Sequence, residues 1–186
     1  MYTLRTMNIE YNNKTIKNGQ FLKPSETQKL PKIFYKTYNP LQNYTLIMYD
    51  PDAYKLVDNR LVPSTHIHLL FVNIKGNKIH DSTTIFPYTG PAPPPKTGKH
   101  RYIFELYEQP SAFLDKAFLN VLGKEKSISN IENIKRMMNL NLPVYKKYFL
   151  SQNENDMMIK NGGKRKKTLK RRKNKNNFTR KSYFRK

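Results

Sequence analysis

Cysteine and tryptophan are both missing from this 186-residue chain. Without cysteine there is no disulfide framework, no thiolate nucleophile and no Cys-based zinc site. A reducing compartment is the natural expectation for such a composition. Acidic residues are scarce: 13 Asp and Glu stand against 35 Lys and Arg, a formal net charge of +22. Long apolar runs are missing as well, and nothing reaches the roughly 18 consecutive apolar residues of a membrane-spanning helix. The opening residues, Met1-Tyr2-Thr3-Leu4-Arg5, show no apolar stretch of signal-peptide length. Histidine is rare, with only His66, His68, His80 and His100, so imidazole chemistry has few places to be.

What is present suffices for one domain. Apolar residues make up 37% of the chain and aromatic ones 12%, too many for a wholly disordered protein. The positive charge is segregated. Residues 160–186 hold 14 of the 35 basic residues and none of the acids, so that stretch carries +14 and residues 1–159 carry +8. The sequence therefore predicts a folded domain over 1–159 and a disordered basic tail over 160–186, joined at Gly162-Gly163. Lys164, Arg165, Lys166, Lys167, Lys170, Arg171, Arg172 and Lys173 are its candidate polyanion contacts. Such a run attracts nucleic-acid phosphates without reading bases, attracts an anionic membrane surface, and has the composition of a nuclear-import signal.

Within the domain the patterns are mainly those of strands. Tyr44–Tyr49 is an apolar, aromatic and β-branched run that stops at Asp50-Pro51; His66–Ile74 runs to a turn signal at Lys75-Gly76-Asn77. Arg101–Glu108 alternates, with Ile103, Glu105 and Tyr107 on one face and Tyr102, Phe104 and Leu106 on the other. Between the last two lies the proline-dense stretch Phe86–Pro95, stiffened by fixed φ angles. Ser129 and Glu132 have capping-box spacing, and Ile131, Ile134 and Met138 follow with helical period, predicting a short helix over 130–139. A second helix is expected near Phe113–Val121. Strands first and small helices after describe a mainly β domain with short peripheral helices.

The residues able to carry chemistry gather near strand ends. His66 and His68 are two apart and share a face of their strand. Asp50 and Asp52 flank a proline, and His100 opens the strand after the proline loop. Several readings of these residues stay open. They suit satisfied surface polar groups. His66, His68 and His100 with carboxylates resemble a zinc or iron ligand set. Ser64 or Ser82 with a His and an Asp would suit hydrolysis, although no G-x-S-x-G elbow is present. Imidazoles, a tyrosine hydroxyl and loop N–H groups could also surround an anion, with carboxylates orienting the rings.

The order and spacing of four segments separate these readings. Asp50-Pro-Asp-Ala53, His68-Leu-Leu-Phe-Val-Asn73, Tyr88-Thr-Gly-Pro-Ala-Pro-Pro94 and Gly98-Lys-His-Arg-Tyr102 resemble the DPDAP, H-[WF]-L-V-x-N, Y-x-G-P-x-P-P and G-x-HRY motifs of the phosphatidylethanolamine-binding protein family. That family includes the Raf kinase inhibitor proteins. The resemblance continues through Phe104–Gln109 and Leu140–Phe149 and covers about residues 20–152. It implies a β-sandwich, with a large central antiparallel sheet, a smaller sheet and helices at one end. It also implies a surface pocket that binds a phosphate-like anion or a phosphoethanolamine head group without catalysis, metal or other cofactor. Carried over motif by motif, the pocket residues are Asp50, Asp52, His68, Pro93, Pro94, His100 and Tyr102, with Tyr88 and His66 nearby. A kinase or protease partner is a further implication.

The chain departs from the family in places. Tyr54 stands where the motif has its last proline, the path from there to His68 is slightly long, and Ala92 precedes the proline pair. The family's C-terminal segment beside the pocket is not evident after Gln152, which predicts a more open rim. Enrichment in Asn, Lys, Ile and Tyr resembles the products of AT-rich genomes such as those of large DNA viruses. It suggests a viral source, with residence in host cytoplasm, in the virion or, through the tail, in the nucleus.

Overall fold

A computed structural model describes residues 7–37, 39–113, 115, 117–120 and 131–157. The basic stretch 160–186 lies outside the described residues, with all eight of its candidate contacts, and so does Ser129. In chain order the strands are β1 (Met7–Tyr11), β2 (Lys14–Thr15), β3 (Gln20–Phe21), β4 (Lys32–Tyr35), β5 (Asn43–Val57), β6 (Arg60–Lys75), β7 (Thr83–Phe86), β8 (Lys99–Gln109) and β9 (Tyr145–Gln152), and the helix α1 (Ile131–Met137) lies between β8 and β9. They form a six-stranded sheet in the order β3-β9-β8-β5-β6-β7 and a three-stranded sheet in the order β2-β1-β4. The larger sheet is antiparallel except where β3 joins β9 in parallel. The mainly β fold with two sheets of unequal size is thus as the sequence implied.

Why these strands sit at the centre follows from their composition. Leu46 and Met48 of β5 face the smaller sheet, in a core shared with Ile9, Tyr35, Leu69, Phe104 and Phe149. Ile47 and Tyr49, on the opposite face, pack with Ile67, Leu70, Ile103 and Tyr107 against Ile131, Ile134 and Met138. A strand covered on both faces has no polar side to show, and so reads as an unbroken apolar run. The β8 alternation comes out as predicted, with Tyr102, Phe104 and Leu106 in the first core and Ile103 and Tyr107 in the second. The short helix is also present, and residues 117–120 are helical within the second predicted segment.

Two readings need correction. β5 does not stop at Asp50-Pro51; it continues to Val57. Proline can sit there because register shifts between Asp50 and Ala53: Asp50 pairs with His66 and Ala53 with Ser64, leaving one extra residue on β5. Such a bulge needs no N–H from Pro51 and re-aims the flanking side chains. β6 likewise begins at Arg60, well before His66. The two strands turn at Asp58 (φ 47°) and Asn59 (φ 59°), the left-handed pair of a two-residue hairpin turn. In the proline loop Gly90 is required by space, because a Cβ there would lie 2.9 Å from the Cα of Gln28. Among the described residues no helix is long and apolar enough to cross a membrane.

Candidate functional site

Asp50 is the hub of the arrangement. It is 3% exposed, and its position in the bulge aims the carboxylate at β8. Oδ2 lies 2.7 Å from His100 Nδ1, and Oδ1 accepts the Asp52 N–H at 2.8 Å. The Tyr102 hydroxyl also hydrogen-bonds to Asp50. Burial first, then the Asp50 charge and that hydrogen bond, push the Tyr102 phenol far above its ordinary value of 10.0, so it stays a donor.

His100 is only 1% exposed and has both ring nitrogens engaged. Nδ1 faces Asp50, and Nε2 lies 2.7 Å from Thr97 Oγ1. The Thr97 hydroxyl also lies 2.7 Å from the Pro94 carbonyl oxygen. It has one proton for two acceptors. If that proton goes to Pro94, His100 Nε2 must donate and the ring is an imidazolium paired with Asp50. If it goes to Nε2, the ring is neutral and Pro94 loses its donor. The rotation of the Thr97 hydroxyl therefore follows the protons on the ring.

His68 lies on the neighbouring strand. Its Nδ1 is 2.7 Å from the Thr89 carbonyl oxygen, which can only accept, so Nδ1 carries a proton. The Thr89 N–H returns a bond to the His68 carbonyl at 2.8 Å, which ties the proline loop to β6. The His68 ring meets Tyr102 edge to face at 5.1 Å and His66 at 4.8 Å. His66 and His68 therefore share a face, as their spacing predicted.

The other sequence candidates fall into place around this centre. Asp52 makes a two-pronged ion pair with Arg101, at 2.7 and 2.8 Å, and accepts the Arg101 N–H at 3.0 Å. Those bonds from Arg101 hold its carboxyl below the usual range, and they join the root of the β5–β6 hairpin to β8. Pro94 touches the centre through Thr97. The Pro93 carbonyl points the other way and accepts Asn153 Nδ2 at 2.9 Å. Tyr88 is turned toward the smaller sheet, where its hydroxyl meets Tyr11 at 2.9 Å and donates to the Thr27 carbonyl.

Sequence reasoning missed Thr97, Thr89 and Arg101. Thr97 carried no motif signal, Thr89 acts through its backbone, and Arg101 was visible inside His100-Arg101-Tyr102 but was read as part of a pattern. Asn73, the last residue of its motif, plays no part here. It adopts φ 58° and holds Phe113 and Gln109 instead. Asn153 donates to the Pro93 carbonyl and Asp156 accepts the Lys96 N–H at 2.7 Å, so residues after Gln152 hold the proline loop, while Glu154 accepts the Ser25 N–H at 2.9 Å. Among the described residues no three His, Cys, Asp or Glu side chains converge as metal ligands, so His66, His68 and His100 form no such set.

A family model described as phosphatidylethanolamine-binding protein matches residues 12–149. A 26 kDa secreted antigen of Toxocara canis is 32% identical over 116 residues, which is 62% of this chain and 43% of that protein. The chain thus spans less than half the length of that relative. Among solved structures, a carboxypeptidase Y inhibitor complexed with its cognate proteinase is similar at TM-score 0.61 and 21% identity, over 81% of this chain and 84% of that one. A phosphatidylethanolamine-binding protein from Plasmodium vivax is similar at TM-score 0.55 and 20% identity, over 81% and 86%. At these identities the structural likeness concerns the fold. The secreted relative overturns the cytoplasmic, virion or nuclear placement expected from the sequence. The physical reason is plain: a fold without cysteine is indifferent to redox poise, so its absence carried no compartment signal.

Proposed function

The chain belongs to the phosphatidylethanolamine-binding protein family, and from that premise we propose that the Asp50–His100–Tyr102–His68 cluster binds the phosphate of a phospholipid head group or a similar small anion. The observation that carries this reading is the 2.7 Å contact between Asp50 and a His100 ring whose other nitrogen is held only by a rotatable hydroxyl. An arriving oxyanion would compete with Thr97 for His100 Nε2. Thr97 would turn to Pro94, the ring would donate as an imidazolium, and Asp50 would balance the charge behind it. His68, in edge contact with Tyr102, would add a second donor at Nε2 only as an imidazolium, because its Nδ1 proton is held by the Thr89 carbonyl. No side chain in the cluster is placed as an activated nucleophile with its own base, so the reading is of binding without turnover. The secreted relative supports an extracellular setting.

A phosphorus NMR titration with phosphoethanolamine tests this. The wild type should bind, and His68→Ala and His100→Ala should each weaken binding about tenfold or more, the scale of one lost charge-assisted hydrogen bond. Equal affinity in either variant would sink the assignment.

A further inference from the structure

The β5–β6 hairpin runs past the body of the sheet. Pairing of β5 with β8 ends at Tyr49 and Ile103, whereas pairing with β6 continues through Tyr54–Pro63, Lys55–Val62, Leu56–Leu61 and Val57–Arg60. Opposed residues of an antiparallel pair share a face, and successive pairs alternate. One face of this ribbon is therefore Tyr54, Leu56, Leu61 and Pro63, entirely apolar or aromatic. The other is Lys55, Val57, Arg60 and Val62, where the cations lie. The apolar face is open to solvent, with Leu56 67% exposed, Leu61 51% and Tyr54 38%. It also leads into the cluster described above, since the Tyr54 ring lies 6.1 Å from the His100 ring.

A ribbon with adjacent exposed leucines on one side, an aromatic ring at its root and cations on its back matches the boundary of a phospholipid bilayer. There apolar groups leave water, a tyrosine lies at head-group level, and Lys or Arg meets lipid phosphate. The two-residue turn keeps the tip narrow and its backbone largely paired, as insertion to head-group depth requires. Asp58 at the turn is the only acid between residues 53 and 63, against Lys55 and Arg60. The net charge of +22 adds long-range attraction to an anionic surface.

We propose that this hairpin is a membrane-docking arm. Its Tyr54–Leu56–Leu61 face enters the interfacial layer of an anionic phospholipid bilayer and brings the His100 cluster to the level of the lipid head groups. The orientation benefit rests on the head-group reading above, but the docking itself does not.

The chain contains no tryptophan, so Leu56→Trp in the full-length protein creates a single fluorescent reporter at the arm. With vesicles of phosphatidylcholine and phosphatidylserine, its emission should shift to the blue and be quenched by lipids brominated near the head group. In parallel, the Leu56→Ser/Leu61→Ser double variant should lose about tenfold or more in vesicle partitioning, the scale of two exposed leucines withheld from the interface. Its thermal midpoint should match the wild type, since both positions face water. Unshifted emission from the introduced indole, in protein that still sediments with vesicles, would mean attachment elsewhere, as by the basic stretch 160–186, and would overturn the proposal. So would a double variant that partitions like the wild type, which is also the outcome if the arm serves a protein partner. Soluble phosphoethanolamine separates the two readings, because it reports on the His100 cluster without engaging the arm.

Discussion

Replacing Asp50 by Asn keeps the size of the side chain and removes its charge, and the hydrogen bonds around it say what must follow. The oxygen of the new amide can still accept the Asp52 N–H, now made to Asp50 at 2.8 Å. Its NH₂ group must then face His100 Nδ1, where two donors cannot coexist. The ring must bare Nδ1 and place its proton on Nε2, donating to Thr97, whose own proton goes to Pro94. Every group is satisfied by this reversal, so the fold should survive. What is lost is the charge on two bonds, those from His100 and Tyr102. A charge-assisted bond exceeds a neutral one by about 1 kcal/mol, so the expected loss is about 2 kcal/mol. For a domain of this size that is a fall in Tm of about 4–8 °C. Asp50→Ala strands a buried imidazole N–H and a buried hydroxyl, and should cost about 3–5 kcal/mol. Thermal and urea unfolding measure both, and nitrogen NMR of His100 reads the tautomer. Equal losses in the Asn and Ala variants, or an Asn variant in which His100 keeps its proton on Nδ1, would refute this account of the hub.

Two other predictions concern charge. Glu105 is 2% exposed and receives Lys135 at 2.9 Å, Lys146 at 2.8 Å and the hydroxyls of Tyr107 and Tyr49 at 2.6 and 3.2 Å. Burial alone would raise its carboxyl, but bonds from Lys146, Tyr107 and Lys135 outweigh that and hold it below its usual 4.5. Because the folded value is the lower one, its stabilisation is complete above the unfolded value and fades as pH falls through the folded one. Glu105→Gln should therefore cost about 3 kcal/mol at neutral pH and flatten the acid limb of stability, a contrast that urea midpoints across about pH 3 to 7 reveal. An unchanged acid limb would show that the network is idle. For the basic stretch 160–186, its +14 charge predicts binding to duplex DNA that weakens about 10³-fold between about 50 and 200 mM salt. Deletion of those residues should abolish that binding and leave phosphoethanolamine affinity intact; DNA affinity retained by the shortened chain would place the contacts in the domain.

The parts of the fold legible in the sequence were those in which one residue's environment depends on its immediate neighbours. Buried β5, the faces of β8 and the apolar period of α1 are of that kind. The extension of β5 beyond Pro51 was hidden because a bulge makes proline tolerable, and a bulge exists only once β6 is alongside. At the site, motif order named Asp50, His68, His100 and Tyr102. It could not show that Asp52 serves Arg101, that Tyr88 is bonded toward the smaller sheet, or that Asp50 lies against His100 Nδ1. Those are facts about hydrogen-bond partners distant in sequence, which spacing does not encode. Glu105 shows the same limit. Alternation put it on the Ile103 and Tyr107 face correctly, but that it lies under a helix and needs two lysines depends on α1 and β9.

The position of β9 also sets a timetable. It lies between β3 and β8 in the large sheet, and the residues just after it clamp the proline loop through Asn153 and Asp156. The β5–β6 hairpin can close from local contacts while the rest of the chain is still being made, because only two residues separate its strands. The proline loop is tied early to β6 through Thr89, but its far end, with Pro93 and Lys96, is held by residues after β9. Its clamp is more than fifty positions later in the chain. Ligand capacity should therefore be the last property the protein acquires during synthesis and the first it loses when residues 153–156 let go, well before the sheet itself melts.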